Sequence, residues 1–431
     1  MPVQDRMRAQ AQLILNGHPD AAAHPARDRW DDDDVDDFDY LYREHAILVR
    51  AQDADEVAGE LGRILGDAGY GDVPEGEARE IRREPVSRGL VRLTVPATPT
   101  LVPELVGRLD EALGPGVAKP EHKLYVCPVT CPATEPGEVA SGTADPVPPP
   151  GLGDRVPWPG SDGAGVNVGI VDTGLIASAP ARHPWLAGVR GALENPYTVR
   201  DGETVIAPYA GHGTFVAGVL RCMAPQASVF VERAFDIAGA DYETRLLGSL
   251  EDALARDPDI LVFTFCSTTH RDQSLHTFDE LYERRIRGIK GLVVLAPAGN
   301  DGSSRPSWPA AHPGIIAVGA LAANWRDRAH FSNHGRWVDV YAPGEDLVNA
   351  FPDGLYVCSE PPRPGERRRF QGMAQWSGTS FSTPVVAGLI AARMSRTGEN
   401  ARQAAGALLR LAAGQAVPGV GPVLYPGQAL R

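Results

Sequence analysis

The sequence predicts an α/β protein: a parallel sheet with helices on both faces, preceded by a small α+β domain. Three observations predict it. From about residue 155, continuous apolar, β-rich runs alternate with helical stretches, the pattern of a sheet buried on both sides. Residues 45–127 carry a different and more local alternation. Between the two, residues 128–150 hold seven prolines and no periodicity, which reads as an extended linker. A chain of 431 residues is too long for one ordinary domain and fits two, one of them large. The expected divisions are an acidic, mobile tail at 1–44, a small domain at 45–127, a linker at 128–154 and a large domain at 155–431.

In the tail, DRWDDDDVDDFDY at 28–40 has eight Asp against one Arg, so this stretch carries half of the net charge of -14. HAILVRA then reads as a strand, followed by a helix with Val57, Leu61, Ile64 and Leu65 on one face. REIRREPV and GLVRLTV read as two strands joined through Ser87, Arg88 and Gly89. A second helix carries Leu101, Leu105, Leu109 and Leu113 at four-residue spacing, and KLYVCPV closes the set as a strand. The order β-α-β-β-α-β is that of ferredoxin-like domains.

The large domain begins with GVNVGIVD, a short buried strand ending at Asp172. ASVFVERAF, DILVFTF, GLVVLAPAG and GIIAVGAL are four more strands, with GTFVAGVLRCM and YETRLLGSLEDALA as helices between them. In such sheets ligand chemistry gathers where strands end and helices begin. Asp172 lies at such an end; alone it is no more than a turn or cap residue. His212 opens a helix between two glycines. Ser380 lies in WSGTSFSTP, ahead of the apolar run VVAGLIAA, where Ser377 or Thr379 is expected to cap the helix and leave Ser380 spare. Together they supply an acid, a base and a nucleophile on separate elements. A serine hydroxyl attacks only when an imidazole takes its proton, and a buried carboxylate holds that imidazole in one tautomer. A helix start behind Ser380 offers its own N–H to a developing oxyanion, and Asn300, after a strand in LAPAGN, offers a second donor.

DTG around Asp172, HGT around His212, AGN ending at Asn300 and GTSFSTP around Ser380 resemble the four signature motifs of the subtilisin-like serine proteases. The chain order Asp, His, Ser is also theirs. HPWL at 183–186, AHPGIIAVGA at 311–320 and DVYAPGEDL at 339–347 resemble the connecting segments of that family. The resemblance covers about 155–431 and implies a serine endopeptidase working through an acyl-enzyme, on specific peptides or proteins. Ser380 is the implied nucleophile, His212 the base, Asp172 its orienting group, and Asn300 with the Ser380 amide the oxyanion donors. It implies Thr264, Phe265, Cys266, Ala298 and Gly299 as substrate-pocket residues. VFTFCSTT departs from the family's Ser-Leu-Gly-like segment, so a thiol at Cys266 replaces a glycine beside the substrate backbone. A peptide ligase or cyclase using the same acyl-enzyme, and a shielded binding protein on a protease scaffold, are the alternatives.

EPPRPGERRRFQG, with Arg363, Arg367, Arg368 and Arg369, is a second departure. It reads as a solvated loop, or as a rim favouring acidic substrates or holding the acidic tail. The family's propeptides often share the β-α-β-β-α-β plan, so the resemblance implies intramolecular inhibition by residues 45–127; a permanent accessory domain is the alternative. No cofactor is implied. Structural calcium is common in the family, but no ligand set can be assigned from this sequence. The acidic balance argues against nucleic acid and anionic membranes as partners. The N-terminus lacks an apolar signal core, no run could span a bilayer, and Cys127, Cys131, Cys222, Cys266 and Cys358 form no zinc pattern. A cytoplasmic protein with reduced thiols is the expectation.

Overall fold

The computed structural model describes residues 3–25, 38–67, 80–96, 102–126, 134–139, 162–235 and 239–426. The N-terminal part contains α1 (Val3–Gly17), β1 (Ala21–Pro25), β2 (Phe38–Arg50), α2 (Ala54–Asp67), β3 (Arg82–Pro85), β4 (Leu90–Thr94), α3 (Val102–Leu113) and β5 (Ala118–Tyr125). Its strands run antiparallel in the order β5-β2-β4-β3. Val57, Leu61 and Ile64 of α2 and Leu105 and Leu109 of α3 are buried in one core with Ile47, Val49 and Leu93. That is where four-residue helical spacing and two-residue strand spacing point them. Leu101, Cys127, Cys131 and most of the Asp run lie outside the described residues.

The tail expected over 1–44 is corrected by residues 3–25. They form α1 and β1, and β1 pairs antiparallel with β2, Ala21 opposite Arg43. The physical reason is non-local. Strand β2 begins at Phe38, seven residues before the apolar run that announces it, and its early part supplies a ladder partner for β1.

The C-terminal part contains β6 (Asn167–Asp172), β7 (Leu175–Ile176), α4 (Ala179–Arg182), β8 (Arg190–Gly191), β9 (Leu193–Glu194), β10 (Tyr197–Arg200) and β11 (Glu203–Ile206). Next come α5 (His212–Met223), β12 (Ser228–Arg233), β13 (Ala240–Tyr242), α6 (Glu243–Leu254), β14 (Ile260–Phe263), α7 (His276–Leu281), β15 (Val293–Pro297), β16 (Ile316–Leu321) and β17 (Val340–Pro343). Strands β18 (Leu347–Val357) and β19 (Arg367–Trp376) and helices α8 (Thr379–Thr397) and α9 (Ala401–Gly414) complete it. Seven strands form a parallel sheet in the order β17-β16-β15-β14-β6-β12-β8. All five strands read from apolar runs are in it. Helix α8 is buried from Thr379 through Ala392 and packs on α5, β16 and α9. A helix apolar on every side belongs in the interior.

The two parts share a sheet. Strand β13 pairs antiparallel with the end of β5, Ala240 opposite Tyr125 and Tyr242 opposite Lys123. The contact behind it is polar and tight. Glu243, buried at the start of α6, accepts from the backbone N–H of His122 at 2.8 Å, from His122 Nδ1 at 3.1 Å and from the Thr277 hydroxyl at 2.6 Å. The His122 Nε2 accepts the N–H of His270 at 3.0 Å. Arg92 reaches Glu121 through two bonds of 2.7 and 2.8 Å and the Thr244 hydroxyl at 2.8 Å.

Candidate active site

Asp172 is the last residue of β6, and its parallel neighbour β14 ends at Phe263, just before Thr264. His212 is the first residue of α5, preceded by Gly211 at φ +81°, where a side chain would also meet Pro352. The left-handed turn aims α5 back across the strand ends. His212 and Asp172 are both fully buried, and His212 Nδ1 stands 2.9 and 2.8 Å from the two Asp172 oxygens. The carboxylate accepts a further bond from the Thr173 N–H at 2.6 Å. With Nδ1 turned to the carboxylate, Nε2 is the ring atom left for proton transfer.

Ser380 is buried at the second position of α8. Its neighbours fix its place. Phe381, the next residue, lays its ring 5.2 Å from that of His212, and Trp376 sets its ring edge-on at 5.7 Å. Thr379, the residue before, donates from both N–H and hydroxyl to Asn300 Oδ1 at 2.9 Å. The structure therefore brings Asp172, His212, Asn300 and Ser380 to one place.

Asn300 follows Gly299, which has φ +100° and where a Cβ would come within 2.5 Å of Asn333 Nδ2. No other residue suits that turn. Because the Thr379 N–H can only donate, the Asn300 oxygen must face it, and the amide nitrogen must face away. That Nδ2 is buried with no hydrogen-bond partner among the described residues. A buried donor left unpaired costs about 1–3 kcal/mol, so it reads as a position held open for a ligand oxygen.

The capping expectation is corrected. The N-cap of α8 is Gly378, with no side-chain cap. The Ser377 hydroxyl accepts the Asp346 N–H at 2.9 Å, and Thr379 is occupied with Asn300. Ser382 and Thr383 donate back to the Thr379 carbonyl. Of these hydroxyls Thr379 serves the site, while Ser382 and Thr383 bond within the helix.

Thr264 is buried and donates to the Val171 carbonyl at 3.0 Å. Phe265 is buried between Phe263 and Phe235, with ring distances of 5.1 and 5.4 Å. Ala298 and Gly299 have their backbone groups engaged within the fold, with Val318, Thr379 and Asn333. Cys266 is buried, and its backbone exchanges two bonds with Tyr125, at 3.1 and 3.4 Å, while the Val126 N–H donates to Gly239 at 2.8 Å. The end of β5 thus lies as an inserted strand between 239–242 and Cys266, with Leu124 and Val126 in the apolar cluster of Phe235, Leu246 and Phe265. Cys222, Cys266 and Cys358 are buried and outside any disulfide.

The solvated-loop reading holds for Arg363, which lies in an exposed turn, and is corrected for Arg367, Arg368 and Arg369, which lie in a strand. Arg367 begins strand β19 and pairs with Glu203 at 2.8 Å. Arg363 faces Glu366, and Arg368 bonds Glu366 and the Pro136 carbonyl. Sequence reasoning missed Trp376 and Glu194. Glu194 accepts the Gly211 N–H at 3.1 Å and the Thr173 hydroxyl at 3.3 Å, tying the residues beside His212 and Asp172 together. Burial pushes its carboxyl up to about 8. Glu194 belongs to no motif, and Trp376 gives no sign in sequence that it will face the imidazole; only the fold brings them here. Among the described residues, no group of three or more His, Cys, Asp or Glu could hold a metal, and no helix is long and apolar enough to cross a membrane.

Comparison with known proteins bears on the family and the fold. The sequence profile of the Subtilase family matches residues 163–420, which is more than half of the chain. Subtilisin DY of Bacillus licheniformis is 29% identical over 256 residues, 56% of this chain and 81% of that protein. Thermitase of Thermoactinomyces vulgaris is 29% identical over 263 residues, 57% and 82% of the two chains. Subtilisin E of Bacillus subtilis is 30% identical, and the match spans 57% of its length. Among solved structures, fervidolysin from Fervidobacterium pennivorans, a keratinolytic enzyme related to subtilisin, superposes with a TM-score of 0.55 at 18% identity. That superposition covers 90% of this chain and 61% of the other. It therefore shares the fold beyond the region of the family match.

Proposed function

The chain belongs to the subtilase family of serine endopeptidases, and from that premise we propose that it hydrolyses peptide bonds through Ser380, His212 and Asp172 and that residues 45–127 hold it closed. His212 takes the Ser380 proton as the hydroxyl oxygen attacks the substrate carbonyl. Asp172, bonded to Nδ1, keeps Nε2 as the basic atom and stabilises the imidazolium. The tetrahedral oxyanion receives the Asn300 amide and the Ser380 N–H. His212 then protonates the leaving amine, and water repeats the sequence on the acyl-enzyme.

The single observation that carries this reading is the unpartnered Asn300 Nδ2, oriented by Thr379 next to the serine. Inhibition by the N-terminal domain is supported by the strand Leu124–Val126, seated between 239–242 and Cys266. Processing of specific substrates inside the cell is part of the proposal, argued from the sequence alone. The test is digestion of a denatured protein by wild type and by Ser380→Ala, with new termini mapped by mass spectrometry. New termini made only by wild type support the reading, together with a self-cut in the linker confined to the active form. Equal termini from both proteins overturn it.

A further inference from the structure

The linker is held on both sides of the candidate active site, and the far side has a built recognition site. Residues 134–139 extend the edge of the sheet β10-β11-β18-β19: Gly137 and Gln375 exchange backbone bonds of 2.8 and 2.9 Å. The indole N–H of Trp376, whose ring faces His212, donates to the Thr134 carbonyl. Arg368 donates to the Pro136 carbonyl at 2.8 Å. The acid side chain is caught most closely. One Glu135 oxygen accepts the Ser359 N–H at 2.7 Å, the Glu360 N–H at 3.3 Å and the Tyr356 hydroxyl at 3.1 Å. Three donors converging on one carboxylate oxygen form a charge-assisted site, stronger than neutral pairs.

The chain direction gives the site its meaning. Val126 lies upstream, between Gly239 and Cys266; Thr134 lies downstream at Trp376, whose ring faces His212. A polypeptide running the same way through the cleft leaves it along β19. Hairpin β18–β19 lies against the site, since Pro352 sits next to Gly211, immediately before His212. We infer that the amides of Ser359 and Glu360 with the Tyr356 hydroxyl recognise a substrate glutamate, about nine residues after the one seated where Val126 lies, and that Glu135 fills this site in the closed chain. The inference rests on the hydrolase reading above. It names the substrate class as an extended segment that is apolar upstream and acidic downstream. Arg368 clamps the backbone of this segment at the Pro136 carbonyl.

The test uses the full chain carrying Ser380→Ala, with Glu135→Ala and Gly137→Pro added to vacate the site. A fluorescent peptide, PATEPGEVA, reproduces residues 132–140, and a control peptide has Gln at its fourth position. The acid peptide is expected to bind about tenfold more tightly than the control, as the loss of charge-assisted bonds implies. Tyr356→Phe should narrow that ratio several-fold without weakening the control peptide. Equal affinities, or no binding of either peptide, overturn the inference. Because this protein lacks the serine hydroxyl, the result is independent of catalysis. With Ser380 restored, long peptides bearing Glu nine positions downstream should show a higher kcat/KM than their Gln counterparts. Equal kcat/KM overturns the role in substrate selection, whereas failure to cleave any peptide speaks against the hydrolase reading instead.

Discussion

Acid should loosen the N-terminal domain, and the structure gives the size of the effect. His270 and His276 both lie in the contact with that domain. His270 meets the Tyr40 hydroxyl through Nδ1 at 2.9 Å and faces Asp110, His122, Arg271 and His24. His276 Nε2 stands 3.4 Å from the Val117 carbonyl, with Lys119, Glu243 and Arg50 nearby. Burial, and then the charge of His122, push His270 down from 6.5 to about 4. Burial, and then Lys119, push His276 down to about 3. A histidine depressed on docking binds fewer protons in the docked state. Its contribution is fully present above 6.5 and is lost as pH falls towards the docked value. Between pH 6.5 and 5 each such group loses about 2 kcal/mol, at 1.36 kcal/mol per unit. One or both together weaken docking by about 30-fold to 10³-fold. The assay is hydrogen exchange of the segment 122–126, corrected for the intrinsic rate at each pH. Protection should fall by at least about 30-fold from pH 7.5 to pH 5, and His270→Gln with His276→Gln should flatten the profile. A change under threefold in the unmodified protein would refute the argument. Glu243, whose bonds to His122 and Thr277 hold its carboxyl below the ordinary 4.5, loses its contribution only at still lower pH.

Asn300→Ala should lower kcat by about 10²–10³ with KM little changed, in steady-state peptide kinetics. Asp172→Asn should cost about 10⁴ in kcat, because the amide favours the wrong imidazole tautomer. Thr379→Val removes a hydroxyl that bonds both Asn300 and the Gly299 N–H; kcat should fall by about tenfold through the misplaced amide, and KM should hold. Gly299→Ala should destabilise the protein by about 1–3 kcal/mol, seen as a lower Tm, because of its φ of +100° and the nearby Asn333.

The parallel sheet was legible because each strand is a short apolar run and each candidate residue ends a run or opens a helix. Asp172 follows VGIV, Asn300 follows VVLAPAG, and Ser380 precedes VVAGLIAA. Leu61 and Leu109 revealed the small domain through helical spacing in the same way. What stayed hidden depends on distant partners. Nothing near Ala21–Pro25 shows that β2 pairs with it, and Ser377 looks like a cap until Asp346 is placed beside it. Arg367 and Arg368 read as solvated because Glu203 comes from another strand and the Pro136 carbonyl from the linker. Glu135 carries no local signal, since its three donors lie more than two hundred positions away. Hydroxyl-rich motifs reveal which residues meet, but not which bond each one makes.

The claim at the centre is that the Ser380 oxygen becomes a nucleophile when His212, held by Asp172, takes its proton. Incubating the full chain with a fluorophosphonate and locating the adduct by peptide mass tests it directly. One adduct is expected, on Ser380, absent from Ser380→Ala and strongly slowed in His212→Ala. An adduct on another residue, or equal labelling of Ser380→Ala, would contradict it.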